Sequence, residues 1–191
     1  MFTEDWYPVD QANNLVNLLQ ATRNLSGGII EIGCWEGKST IFMTKAAYPE
    51  IVICNDTWLG NVAESQVTGQ EHITEKIVKE RDVYARFLEN MQKETQNNFL
   101  VVKEDCLKWL PTLKTPVKFC HIDASHEYES VNETIKLLLP LMVKGGILCG
   151  DDFINANAER SDLHGGVERA VRENLPDFNH VNNLWYWQKK T

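Results

Sequence analysis

Five short apolar runs, at residues 29–32, 51–54, 99–102, 117–122 and 147–149, punctuate this chain, and the gaps between them read largely as helix. Each run has the length of a strand and little polar alternation, which suits a strand buried on both faces. Helical spacing occupies residues 38–47, the region around 73–91, a short stretch near Leu107, and 128–139. Strand and helix in alternation imply right-handed crossovers, hence an open parallel sheet with helices on both faces. The C-terminal part breaks this rhythm. Residues 167–175 look helical, and 178–181 and 184–187 flank Asn182-Asn183, a pair that tolerates the positive φ of a tight hairpin turn. The expected architecture is therefore α/β: a doubly wound, mostly parallel, seven-stranded sheet closed at one edge by an antiparallel C-terminal hairpin. Ahead of it, Asp10 is placed to cap a first helix carrying Leu15, Leu18, Leu19 and Leu25, with Gly27-Gly28 ending it.

The 191 residues, 43% of them hydrophobic, suffice for one core, and no linker or repeat divides them. A single domain over 1–191 is expected, with 60–97 as an inserted helical or lid segment, longer than an ordinary connection. The formal net charge of -8 disfavours a nucleic-acid partner, whose phosphates demand a basic footprint. No apolar run reaches the length of a membrane span, and the N-terminus is acidic and aromatic, not basic then apolar. Cys34, Cys54, Cys106, Cys120 and Cys149 are scattered, with no Cys-x-x-Cys pair. A cytoplasmic, reduced protein without a membrane partner is the expectation.

Open parallel sheets bind ligands beyond the carboxyl ends of their strands, where the strand order reverses. The first strand runs into Glu31-Ile32-Gly33-Cys34-Trp35-Glu36-Gly37-Lys38-Ser39. Gly33 permits a tight turn and close ligand approach, and Gly37 opens the next helix. The segment is one residue short of a phosphate-binding loop, and Glu31 sets a carboxylate where phosphate would sit. A cationic ligand is easier to reconcile with it. Asp56, after the second strand, can accept ribose hydroxyls or merely cap a turn.

Together, Glu31, Gly33, Gly37 and Asp56 resemble the first motifs of class I S-adenosylmethionine-dependent methyltransferases, whose ligand carries a sulfonium and no phosphate. The resemblance implies S-adenosylmethionine as cofactor, adenine contacts from Asp105 and Cys106 after the third strand, and Asp123 beside the cofactor. Asp105 can alternatively be only a helix cap.

The stretch Ile122-Asp123-Ala124-Ser125-His126-Glu127-Tyr128, followed by Gly145-Gly146 and Asp151-Asp152, brings three carboxylates to the ends of two successive strands. Clustered acids repel and raise one another's pKa values, and a hard divalent cation relieves this. The alternative is that these acids cap loops. The same stretch, with Asp56-Thr57-Trp58, is similar to the metal-dependent branch containing the macrocin and mycinamicin sugar O-methyltransferases. That resemblance implies a metal, most simply Mg²⁺, on Asp123, Asp151 and Asp152, and His126 as general base. Some relatives carry an acid one residue earlier, where this chain has Ser125. The implied reaction is methyl transfer to a hydroxyl of a small molecule or glycan sugar, with specificity from the inserted segment, the first helix and a neighbouring subunit of a homo-oligomer. Two alternatives stay open: a catechol-like O-methyltransferase, and a non-catalytic cofactor-binding subunit.

Overall fold

The computed structural model describes residues 2–4, 6–153 and 161–190, the side chains of 161–164 excepted. Its elements are α1 (Val9–Ala21), β1 (Gly28–Ile32), α2 (Lys38–Ala47), β2 (Val52–Asp56), α3 (Val62–Thr68), α4 (Ile73–Glu80), α5 (Val83–Glu94) and β3 (Phe99–Lys103). There follow α6 (Cys106–Trp109), β4 (Val117–Ile122), α7 (Tyr128–Leu138), β5 (Met142–Gly150), α8 (Ser161–Asn174), β6 (Asn179–Val181) and β7 (Leu184–Gln188). The strands form one sheet in the order β3-β2-β1-β4-β5-β7-β6. Pairing is parallel from β3 to β5 and antiparallel where β7 joins β5 and β6 joins β7. The seven-stranded sheet with its closing hairpin is the architecture expected from the apolar runs.

Successive strand residues point to opposite faces, so a run buried on both sides must feed two cores. Ile29 and Phe119 join Leu15, Met43, Phe87 and Met91, under α1, α2 and α5. Ile30 and Cys120 join Val131, Ile135, Val171 and Trp185, under α7, α8 and β7. The strand order reverses between β1 and β4, where Ile32 is paired with Ile122. Gly33 and Asp123, the next residue on each strand, therefore stand side by side at the ligand-binding edge of such a sheet.

Several local expectations are corrected. Asp10 lies in the first turn of α1, whose N-cap is Pro8, and that helix ends at Ala21, so Leu25 falls outside it and Gly28 already belongs to β1. The helical stretch around 73–91 is two helices, because Asp82 accepts a hydrogen bond from the Ala85 N–H and restarts the chain as α5. Strand β5 begins at Met142, so Lys144-Gly145-Gly146 lies inside it, and α8 starts at Ser161 instead of Val167. Within 60–97, α5 packs as an ordinary crossover helix on buried Phe87 and Met91, whereas α3 reaches the strand-end rim. Among the described residues, no helix is long and apolar enough to cross a membrane.

Candidate active site at the strand ends

The first turn is held by an acid from the next strand. Asp56 Oδ2 accepts hydrogen bonds from the N–H groups of Cys34 at 2.8 Å and Trp35 at 2.9 Å, and Oδ1 accepts from Trp58 N–H at 2.7 Å. The carboxylate thus ties the end of β2 to the loop after β1, and burial pushes its pKa up against the pull of those amides. Gly33 and Gly37 both adopt left-handed φ, of 87° and 88°. At Gly33 the need is absolute in steric terms, since a Cβ there would sit 1.9 Å from the Asp123 carbonyl oxygen.

Glu31 lies within the sheet, near the end of β1. It is fully buried and lies 2.9 Å from Nδ1 of His121, itself fully buried on the neighbouring strand. Asp105 caps α6 through Leu107 N–H at 2.9 Å, and the Cys106 sulfur lies 3.6 Å from the Thr134 hydroxyl. The structure therefore gives Glu31, Asp56 and Asp105 intramolecular partners, while keeping Gly33, Gly37 and Asp56 around a single turn at the switch point.

At the ends of β4 and β5 the acids converge. Burial, followed by repulsion from Asp151, holds Asp123 well above the usual carboxylate range, and burial, followed by Asp152, raises Asp151. Asp151 Oδ1 accepts the Asp152 N–H at 2.7 Å, and Asp152 itself sits at φ 60°. A non-glycine residue in that region is held there by its surroundings, which is common at ligand sites. His126 Nε2 is 2.7 Å from Asp152 Oδ2. On the other side of the ring, Glu64 Oε1 accepts the His126 backbone N–H at 2.9 Å and lies 2.9 Å from Nδ1, within ion-pair distance. Burial alone would depress His126, but Asp152 and Glu64 hold it well above the ordinary histidine range.

The donor atoms of Asp123, His126 and Asp152 lie within 4.8 Å of one another. Opposed ligands around a metal with bonds of about 2.1 Å stand roughly 4.2 Å apart, so these three residues could share a small divalent cation once His126 Nε2 and Asp152 Oδ2, now 2.7 Å apart, part to admit it. A cavity of about 10 Å³ lined by Asp123, His126, Asp151 and Asp152 has room for about one water-sized occupant. Compared with the expected trio of Asp123, Asp151 and Asp152, the structure brings His126 into the cluster and leaves Asp151 beside it. The acids with raised pKa also suit a cationic cofactor at the same rim. A second cavity, of about 440 Å³, opens beside Trp58, Arg81, Tyr84 and Lys103, at the β3 side of the sheet. Trp58 is nonetheless largely core, with its ring centroid 4.7 Å from that of Tyr84 and 5.0 Å from that of Phe87.

Glu64 is the residue that sequence reasoning missed. It is buried at 1% exposure, and its Oε1 also accepts from Asn61 Nδ2 at 2.9 Å. Nothing in the polar run from Gly60 to Gly69 separates it from a solvated acid, because its partner is 62 residues away.

A family model described as a methyltransferase domain matches residues 30–153, the span from β1 through the Asp151-Asp152 turn. The solved structure of the O-methyltransferase NovP is similar with a TM-score of 0.71 and 17% identity, over 96% of this chain and 81% of that one. Cofactor-bound Rv0187 from MTB matches with a TM-score of 0.68 and 18% identity, over 96% and 82%. The calicheamicin methyltransferase CalS11 matches with a TM-score of 0.63 and 16% identity, over 95% and 80%. Identities this low carry the fold alone. No protein with a curated description matches the chain significantly. Because the matched segment covers more than half of the residues and holds both the glycine turn and the acidic rim, the chain belongs to this methyltransferase-domain family, with the class I S-adenosylmethionine-dependent methyltransferase fold.

Proposed function

We propose that the protein transfers the methyl group of S-adenosylmethionine to a hydroxyl of a small molecule or sugar, assisted by a divalent cation, most simply Mg²⁺. The observation that carries this reading is the convergence of Asp123, His126 and Asp152 at the switch-point rim. CalS11, described as a TDP-rhamnose 3'-O-methyltransferase, shares this fold, and sugar hydroxyls are accordingly the first acceptors to test.

Asp123 and Asp152 would hold the cation, with Asp151 adding negative charge at their side. Gly33 and Gly37 give the turn above β1 its left-handed φ, Gly33 fitting against the Asp123 backbone and Gly37 against Phe87 and Met91, and Asp56 keeps that turn in place, with Oδ1 the oxygen that would accept a ribose hydroxyl. A bound divalent cation would neutralise the carboxylates and lower the pKa of an adjacent hydroxyl, which in bulk water lies near 15.7, far from an ordinary histidine at about 6.5. His126 would then take the acceptor proton on Nε2, the nitrogen that faces Asp152. For that step Nε2 must first be free of its proton, and the neutral ring would keep its remaining proton on Nδ1, beside Glu64. Cofactor and acceptor, aligned in one cleft, react as an intramolecular pair.

The spacing of the trio favours a second reading in which His126 Nε2 is a ligand and not the base. His126→Gln separates the two. As base, its loss lowers turnover by roughly 10² to 10⁴ with Mn²⁺ affinity retained; as ligand, Mn²⁺ affinity falls with turnover. The function itself is tested by screening sugar, polyol and catechol acceptors with methyl-labelled cofactor. Label in a hydroxyl of one class supports the proposal, whereas cofactor binding with no transfer to any of them favours a non-catalytic subunit.

A further inference from the structure

A histidine at the end of a strand can reach a reacting group from many ring orientations, and one orientation is productive. The ring of His126 is bracketed: Asp152 stands at Nε2, and Glu64 stands at Nδ1 and at the backbone N–H of the same residue. Glu64 comes from α3, not from the sheet. Its burial to 1% exposure is costly for a carboxylate and is offset by two donors that converge on Oε1, Asn61 Nδ2 and the His126 N–H, with His72 Nε2 at ion-pair distance, 3.4 Å, from Oε2. The helix is in turn seated by its own contacts, with Asn61 N–H donating to the Thr74 hydroxyl at 2.8 Å, the His72 N–H donating to Ser65 Oγ at 2.8 Å, and Ser65 donating to Glu75. Gly60 fits against the same corner, where a Cβ would come within 2.6 Å of the Glu75 nitrogen.

We propose that Glu64 is a positioning residue for His126, so that the inserted α3 completes the site from above the sheet. A carboxylate held behind an imidazole fixes which nitrogen faces the chemistry and how the ring lies, a role whose loss elsewhere lowers activity by 10- to 100-fold. The inference rests on the proposed role of His126 for its kinetic consequence, but the contact itself can be read without turnover.

The test compares Glu64→Ala and Glu64→Gln in the full chain. Because all three short contacts fall on Oε1, a glutamine oxygen can replace them and an alanine cannot. With histidine labelled in the ring nitrogens, the His126 signals are identified by their loss in His126→Gln. In Glu64→Ala they are expected to shift at fixed pH, and in Glu64→Gln to stay closer to wild type. Turnover in Glu64→Ala is expected to fall 10- to 100-fold, with acceptor KM and cofactor affinity within about threefold, and Glu64→Gln to recover most of it. His126 signals unmoved by Glu64→Ala would overturn the proposal. So would shifted signals with wild-type turnover, or a loss of turnover matched by equal losses in cofactor affinity and thermal stability, which marks a merely structural acid. A wild-type chain that transfers no methyl group would sink the functional reading instead, and the ring signals would then decide the Glu64 contact alone.

Discussion

Gly166, on α8, lies so close to the loop after β4 that a Cβ on it would come within 2.5 Å of the His126 carbonyl oxygen and 2.6 Å of the Tyr128 nitrogen. Helix and loop meet backbone to backbone, which sets how far the His126 segment can withdraw from the acidic rim. Gly166→Ala is therefore expected to push the segment or the helix by a few tenths of an ångström or more. Overpacking of this kind costs about 1 to 3 kcal/mol, and a displacement near 1 Å can cost about 10²-fold in rate. Chemical denaturation and steady-state kinetics check both. Unchanged turnover would mean that the contact yields without moving His126.

Gly33 makes the sharper steric case. A left-handed residue with a side chain costs about 1 to 2 kcal/mol before any clash, and here the Cβ would overlap the Asp123 carbonyl. Gly33→Ala should unfold at a clearly lower temperature and bind S-adenosylhomocysteine at least tenfold more weakly by calorimetry. A variant with wild-type affinity would show that the β1–β4 junction is not where the cofactor docks.

For Asp56 the pH dependence of stability is informative. Burial raises its folded pKa, so the unfolded chain, with a value near 3.9, loses the proton first. The resulting loss of stability is absent below about pH 4, develops as pH rises through the folded value, and is complete above it. In Asp56→Asn that loss disappears. The stability of wild type minus that of variant, from urea unfolding, should therefore decline from acid toward neutral pH, and a constant difference would mean that Asp56 ionises normally. Asp56→Ala, which gives up three amide contacts, should in addition weaken cofactor binding by about 1.5 to 3 kcal/mol if the ribose also relies on it.

The sheet was legible because its strands are buried on both faces, so that Ile29 and Ile30 must both be apolar although they serve different cores. Strand-end positions followed from that, including Gly33, Asp123 and Asp151-Asp152. What stayed hidden depends on contacts between residues distant in sequence. Nothing local marks Glu64 as the partner of His126, or Glu31 as the partner of His121 inside the sheet. Nor does it reveal that Asp56 would spend its oxygens on the neighbouring turn, or that Gly166 would touch the loop after β4. Helix ends were misjudged where a cap competed with periodicity, as at Asp82.

The most direct measurement is transfer of labelled methyl from S-adenosylmethionine to a competent hydroxyl acceptor, with excess chelator and then with Mg²⁺ restored. Cofactor affinity is followed in parallel by calorimetry. If Asp123 and Asp152 hold a cation that serves the reaction and not the fold, transfer is lost in chelator and returns with Mg²⁺, while cofactor affinity and unfolding temperature barely change. Asp152→Asn should abolish the return. Full transfer in chelator, with Asp152→Asn equally active, would contradict the account and leave the acids at the rim with a structural role.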